Sequence, residues 1–166
     1  MGAWIALHLA LQSQHPISGI VGIGSAINFT YNTFQKLTED QQTILTKSEE
    51  ANNSIVNISS PYLEEPHPFT RALYESGNDY LICHEPPTGH VGININNHLE
   101  LNCPVRFLHG SEDDVVQWST VKDAMEILQS KYNGMDVTVK LLGGGDHRLS
   151  QPGDVSILLE TLDDFL

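Results

Sequence analysis

Two short stretches of this 166-residue chain hold residue types able to take and give a proton near neutral pH. HGSEDDVVQW carries Glu112, Asp113 and Asp114, and GGGDHRLS carries Asp146, His147 and Arg148. A histidine is the natural general base, because its ordinary pKa lies near neutrality. A carboxylate bonded to one imidazole nitrogen fixes the tautomer and stabilises the imidazolium once the proton is taken. Either stretch alone reads most simply as a solvated turn or an inert loop. Together, acid first and base second in chain order, they point to activation of a nucleophile. The histidines do not fall at ligand spacings such as H-x-x-x-H, so no metal and no dissociable cofactor is expected.

For the pair to meet, both stretches must leave strands at the same end of a sheet. Three strands are predicted. SGIVGIGSA holds Ile20 to Ile23, which reads as a strand buried on both faces. CPVRFLHG holds Val105 to Leu108, opened by a Pro where a strand start tolerates one. DVTVKLL holds Val137 to Leu142, halted by three glycines. Between the last two, Trp118, Val121, Met125, Leu128 and Tyr132 recur at helical spacing and define one face. After the third strand, Ser150 and Pro152 mark a helix start, followed by Val155, Leu158, Leu159, Leu162 and Phe165 at the same spacing. A first helix is predicted from about Met1 to Gln14, ending before His15-Pro16. Strands alternating with single helices mean an α/β fold with a parallel sheet and flanking helices.

A long excursion, roughly residues 28–102, interrupts this alternation. It is rich in Asn, Ser, Glu and Pro, with helix-like stretches around Thr33–Leu45 and Phe69–Glu75 and a later part read as irregular loop. A structured insertion of this length is expected to be a lid or binding element.

With 8 Lys+Arg against 21 Asp+Glu, the net charge of -13 argues against a nucleic-acid partner. Cys83 and Cys103 are too few and too unpatterned for a disulfide framework or a zinc site, and read as buried or idle thiols. N-x-[ST] matches at Asn28, Asn52 and Asn57 carry little weight without a secretory signal. The apolar opening, MGAWIALHLALQ, lacks a basic flank and a cleavage site, is too short to span a bilayer, and is interrupted by His8. Ala6 stands where a myristoylation site wants Ser or Thr. A buried helix is the reading that remains, and no transmembrane segment is expected.

HGSEDDVVQW resembles the H-G-x-x-D-x-x-V segment that carries the acid in the α/β-hydrolase family, and GDHRLS resembles the segment that carries its histidine. MGAWIALHLAL resembles the stretch just after the nucleophilic serine in the family's G-x-S-x-G elbow, S-M-G-G-W, with Ala3 in place of the last Gly. SPYLEEPHPFTRALYESG is similar to the cap of one subgroup, which includes mitochondrial palmitoyl-protein thioesterases also described as acyl-glucuronide esterases, with bacterial relatives. The resemblance covers nearly the whole chain. It implies Asp113 as the acid, with Asp114 as the fallback, and His147 as the base. Gln117 stands where the family usually has Pro, and the segment PPTGHVGININN exceeds the subgroup's pattern.

No G-x-S-x-G occurs anywhere in the 166 residues. The resemblance puts the serine immediately before Met1, whose backbone N–H would be one oxyanion donor. It therefore predicts the C-terminal portion of an α/β-hydrolase fold, as a fragment or a truncated gene model. The upstream strands would be missing and Ile20–Ile23 would lack one neighbour. The implied parent is a serine hydrolase of small acyl esters or S-acylated proteins, mitochondrial by resemblance or else cytoplasmic. The chain as written is expected to be inactive. Two other readings stay open: a non-catalytic binding or interaction module, and a hydrolase of another substrate class such as peptides or lipids.

Overall fold

The computed structural model describes residues 1–47, 54–59, 64–82, 101–131 and 135–165. It divides into two compact units. One comprises Met1–Ile27 with Asn94–Leu166, and the other is Asn28–Ile93.

The first unit is built on three short, largely apolar runs, each long enough to cross a sheet once. β1 (Ile20–Ile23), β4 (Val105–Gly110) and β5 (Val137–Leu142) form a parallel sheet in the order β1-β4-β5. Ile20 pairs with Val105, and Val105 with Val137, so the three strands start level. Parallel strands need a crossover, and α5 (Trp118–Lys131) supplies the one from β4 to β5. The fold is thus α/β with a parallel sheet and flanking helices. α1 (Gly2–Gln12) buries Trp4, Leu7, Ala10 and Leu11, which share a face at three- and four-residue spacing. It stops where the Ser13 hydroxyl accepts from the His15 N–H and donates to the His15 carbonyl, closing a local turn. α6 (Pro152–Asp163) starts with Pro at its first position, and the Asp154 carboxylate accepts the Gln151 N–H.

Three expectations about faces need correction. β1 is not buried on both faces: Ile23 is exposed and Val21 only half-buried, and among the described residues β1 is bonded to β4 alone. The buried stripe of α5 is Val121, Ala124 and Leu128, while Trp118 is exposed and Met125 half-buried. Tyr132 lies outside the described residues. On α6 the periodic Val155, Leu159 and Leu162 face solvent; Ile157 and Leu158 instead pack on the cluster of Leu108, Leu142 and Leu149. Helical period identifies an apolar stripe, but a helix resting on one sheet buries only the part that faces it.

The second unit holds α2 (Phe29–Gln35), α3 (Glu39–Lys47), an antiparallel pair β2 (Ile55–Ile58) and β3 (His67–Thr70), and α4 (Arg71–Asn78). The helix expected over Thr33–Leu45 is two helices. Thr38 and Gln41 exchange side-chain bonds to each other's backbone N–H, which starts α3 afresh. Phe69 belongs to β3 rather than to a helix, and α4 begins just after it, capped by the Thr70 hydroxyl accepting the Leu73 N–H. Phe34, Leu45, Val56 and Phe69 form this unit's core, with Tyr74 stacked on Phe34 at 4.1 Å between ring centroids.

Asn28 opens this unit in the left-handed region, at φ 55. Its carboxamide donates to the Ile82 carbonyl and accepts the Ile82 N–H, both at 2.9 Å. With both functions engaged, Asn28 is not available as a glycosylation acceptor. Asn57 is exposed in β2. Asn52, Cys83 and the stretch PPTGHVGININN lie outside the described residues. Among the described residues, no helix is long and apolar enough to cross a membrane.

Candidate active site

Parallel alignment of β4 and β5, with Gly110 level with Leu142, sends their following loops out side by side. The two loops are laced together. The Ser111 N–H donates to the Leu142 carbonyl, the Glu112 N–H to the Gly145 carbonyl, and the Gly144 N–H to the Ser111 hydroxyl. Such close backbone approach requires glycine at position 110. A Cβ there would overlap the Gly145 carbonyl oxygen and lie 2.5 Å from the Asp146 carbonyl oxygen.

Within the β4 loop, Asp113 Oδ1 accepts the backbone N–H groups of Val115 and Val116, each at 2.9 Å. This fixes the carboxylate and leaves Oδ2 to point elsewhere. Within the β5 loop, Asp146 Oδ1 accepts the N–H groups of Arg148 and Leu149, holding Leu149 in the left-handed region at φ 47. The residue inside that turn is His147. Its Nδ1 lies 2.8 Å from Asp113 Oδ2, with the carboxylate fully buried and the imidazole a quarter exposed.

Burial by itself would raise the Asp113 pKa. The Val116 N–H, the His147 hydrogen bond and the Val115 N–H outweigh that and hold it below the ordinary carboxylate value. An ionised Asp113 can only accept, so His147 Nδ1 carries the hydrogen, which leaves Nε2 as the basic nitrogen of the neutral ring. A buried acid and an imidazole oriented this way can, in the ring's neutral form, take a proton at Nε2 from a hydroxyl or thiol brought to that nitrogen.

Gly24, at the end of β1, completes the surroundings of the base. It sits at φ +50, and a Cβ there would come within 2.8 Å of His147 Nδ1 and 2.7 Å of the His147 carbonyl oxygen. The backbone of β1 therefore passes directly against the imidazole.

Of the residues singled out from the sequence, the structure brings Asp113 and His147 together. Asp114 is exposed and Glu112 is exposed beside it. Met1 caps α1, its carbonyl accepting the Trp4 and Ile5 N–H groups, and burial pushes its amino group below the ordinary amine pKa. From the sequence, His109 and Gly110 serve only as the H-G that marks the acid segment, and Gly24 carries no assignment. The H-G pair four residues before the acid was a visible signal, and so was a glycine closing β1. Cys103 is buried, which raises its thiol pKa and fits an idle core residue. Among the described residues, no cluster of three or more His, Cys, Asp or Glu could hold a metal ion.

No family model matches the chain. It is similar to "Palmitoyl-protein thioesterase ABHD10, mitochondrial" from Rattus norvegicus, at 29% identity over all of this chain and 49% of the relative. The Homo sapiens protein of the same name is 25% identical over all of this chain and 48% of the relative. The chain thus spans about half the length of the curated relatives it matches. Among solved structures, a candidate hydrolase from Agrobacterium vitis S4 superposes with TM-score 0.73 at 28% identity, covering 99% of this chain and 58% of that one. The mouse α/β hydrolase domain-containing protein 10 superposes with TM-score 0.68 at 23% identity, covering 98% and 57%. The chain is related to the α/β hydrolases and carries part of their fold.

Proposed function

We propose that this relative of the α/β hydrolases supplies the acid and the base of a serine hydrolase that cleaves acyl thioesters or esters. The observation that carries the reading is the 2.8 Å bond between His147 Nδ1 and Asp113 Oδ2, on loops leaving the same end of adjacent parallel strands. In turnover a serine hydroxyl passes its proton to His147 Nε2 as its oxygen bonds to the acyl carbon. Asp113 stabilises the imidazolium, which then protonates the departing thiol or alcohol. Water repeats the sequence to release the acid and restore the serine.

The serine is not among these 166 residues. By the family pattern it belongs immediately before Met1, which places it at the N-terminus of α1 and makes the Met1 N–H an oxyanion donor. Without that nucleophile the 166 residues alone are expected to be inactive. The mitochondrial palmitoyl-protein thioesterase relatives support an S-acylated protein as substrate and mitochondria as the compartment; the resemblance of the cap segment adds small acyl esters, acyl glucuronides included. We read the excursion, roughly residues 28–102, as a cap or lid element.

The test compares the 166-residue chain with one extended upstream by the remaining half of the fold, ending in G-x-S directly before Met1, on p-nitrophenyl esters and a palmitoyl thioester. The first should show no turnover. The second should hydrolyse both, with Asp113→Asn costing about 10⁴-fold and His147→Ala about 10⁶-fold in kcat. Hydrolysis by the 166 residues that His147→Ala abolishes would overturn the placement of the nucleophile. Turnover by the extended chain that ignores His147→Ala would refute the acid–base pair.

A further inference from the structure

One buried titratable side chain beside the pair has no part in the proton transfer. His109, the penultimate residue of β4, is 1% exposed, and its Nε2 lies 3.7 Å from Asp113 Oδ2, too far for a direct hydrogen bond. The partner of that nitrogen is the Val116 carbonyl oxygen, at 3.0 Å. A carbonyl only accepts, so Nε2 carries the hydrogen. The other nitrogen, Nδ1, is buried and has no hydrogen-bond partner among the described residues.

A second proton on His109 would sit at Nδ1, facing no acceptor. Burial accordingly lowers its pKa, the Asp113 charge and Val116 carbonyl oppose that, and a charged His147 would lower it further. His109 is therefore neutral, and the Asp113 charge is left to His147 although both imidazoles lie beside it.

Val116 is held at both ends of its peptide groups. Its N–H is held by Asp113 Oδ1 and its carbonyl by His109 Nε2. The turn that carries the acid is thus tied from inside by the carboxylate and from outside by the strand. Trp118 lies beside the His109 ring, tilted, at 6.1 Å between centroids.

We propose that His109 is a positioning residue for the acid–base pair: its Nε2–H, given to the Val116 carbonyl, locks the Asp113–Val116 turn so that Oδ2 meets His147 Nδ1. The proposal rests on the acid–base reading above. It explains why a histidine occupies a core strand position where an aliphatic residue would pack without an orphaned nitrogen.

The test reads imidazole tautomers directly, by long-range ¹⁵N–¹H correlation on the ¹⁵N-labelled 166-residue chain at neutral pH. In the wild type, His109 should be neutral with its proton on Nε2, and His147 should be held with a proton on Nδ1. His109→Gln keeps an N–H donor within reach of Val116 and should keep the His147 tautomer. His109→Leu, in chains whose methyl dispersion shows a retained fold, should release His147 to the mixture of a free imidazole. A loss of fold would not move the tautomer of His109 in the wild type, so that measurement stands without any variant. Finding His109 protonated, or with its proton on Nδ1, overturns the proposal, as does a folded His109→Leu chain with His147 unchanged. A wild-type His147 without a fixed Nδ1–H refutes the acid–base pair itself, a distinct failure.

Discussion

Replacing Gly110 with alanine tests whether the two site loops are held together by backbone approach. The added Cβ would overlap the Gly145 carbonyl oxygen and lie 2.5 Å from that of Asp146, where ordinary contact begins at 3.4 Å. Both obstacles are main-chain atoms, so no side-chain rotation relieves them, and the β5 loop must retreat by about 1 Å, as forced overpacking does. Overpacking of this kind costs about 1–3 kcal/mol. The Glu112 N–H bond to Gly145, at 2.9 Å, is lost in the retreat, at about 0.5–1.5 kcal/mol. Reduced freedom of the unfolded chain offsets about 0.4–1 kcal/mol of this. The expected loss is about 2–3 kcal/mol, read as a lower urea midpoint at unchanged m. Gly143→Ala is the internal control. It lies in the same loop, a Cβ there meets nothing within 4 Å, and its φ is not left-handed. It should be neutral or slightly stabilising. If Gly110→Ala falls within about 0.5 kcal/mol of wild type, the size of an ordinary surface change, or if Gly143→Ala costs as much, the close-approach argument fails. The same retreat should loosen the His147 tautomer, because His147 rides on the displaced segment.

Asp113→Asn should reverse the His147 tautomer, because an amide N–H facing Nδ1 demands a bare nitrogen there; ¹⁵N chemical shifts decide it, and an unchanged tautomer counts against the bond. The pH dependence of stability should have two limbs. His109 is held below the ordinary value of about 6.5, so the unfolded chain binds its proton first and stability falls as pH drops below that, by at most about 1.4 kcal/mol per pH unit. Asp113 is held below about 3.9, so its contribution is present above that pH and is lost on further acidification. Urea midpoints against pH should show His109→Gln removing the first limb and leaving the second. Asn28→Ala severs two bonds to a buried residue and leaves an Ala at positive φ, together about 2–4 kcal/mol. Asn28→Gly should cost about 1 kcal/mol less, and both should strip hydrogen-exchange protection from the Ile82 amide.

The features legible in the sequence were those that depend on short range. Ile20–Ile23 and Val137–Leu142 are β-branched runs bounded by glycine, and they are strands with those bounds. The Asp113 and His147 loops follow from the order of elements alone. The Thr38–Gln41 capping box was legible in T-E-D-Q and would have split the helix predicted over Thr33–Leu45. The β2–β3 pair escaped because Pro68 speaks against a strand. Proline is tolerated there because a two-stranded pair leaves each strand an unbonded side. Val155, Leu159 and Leu162 misled because period shows that a stripe exists and not what lies over it. The His109–Val116 bond depends on which way one carbonyl points in an irregular loop, and no spacing rule encodes that.

The Asn28–Ile82 clamp bears on how the chain finds its fold. β1 pairs with β4 across 85 residues, Ile20 with Val105, whereas β4 and β5 are separated by 32. Closing the longer loop from a fully open chain costs about 0.9 kcal/mol more by loop-length scaling, so β4, α5 and β5 should associate before β1 joins them. If the excursion folds on its own first, the clamp joins positions 54 apart, and roughly 30 residues of slack remain between β1 and β4. The insertion then hardly slows the closure it interrupts. Two side-chain hydrogen bonds from one asparagine make a long detour kinetically short.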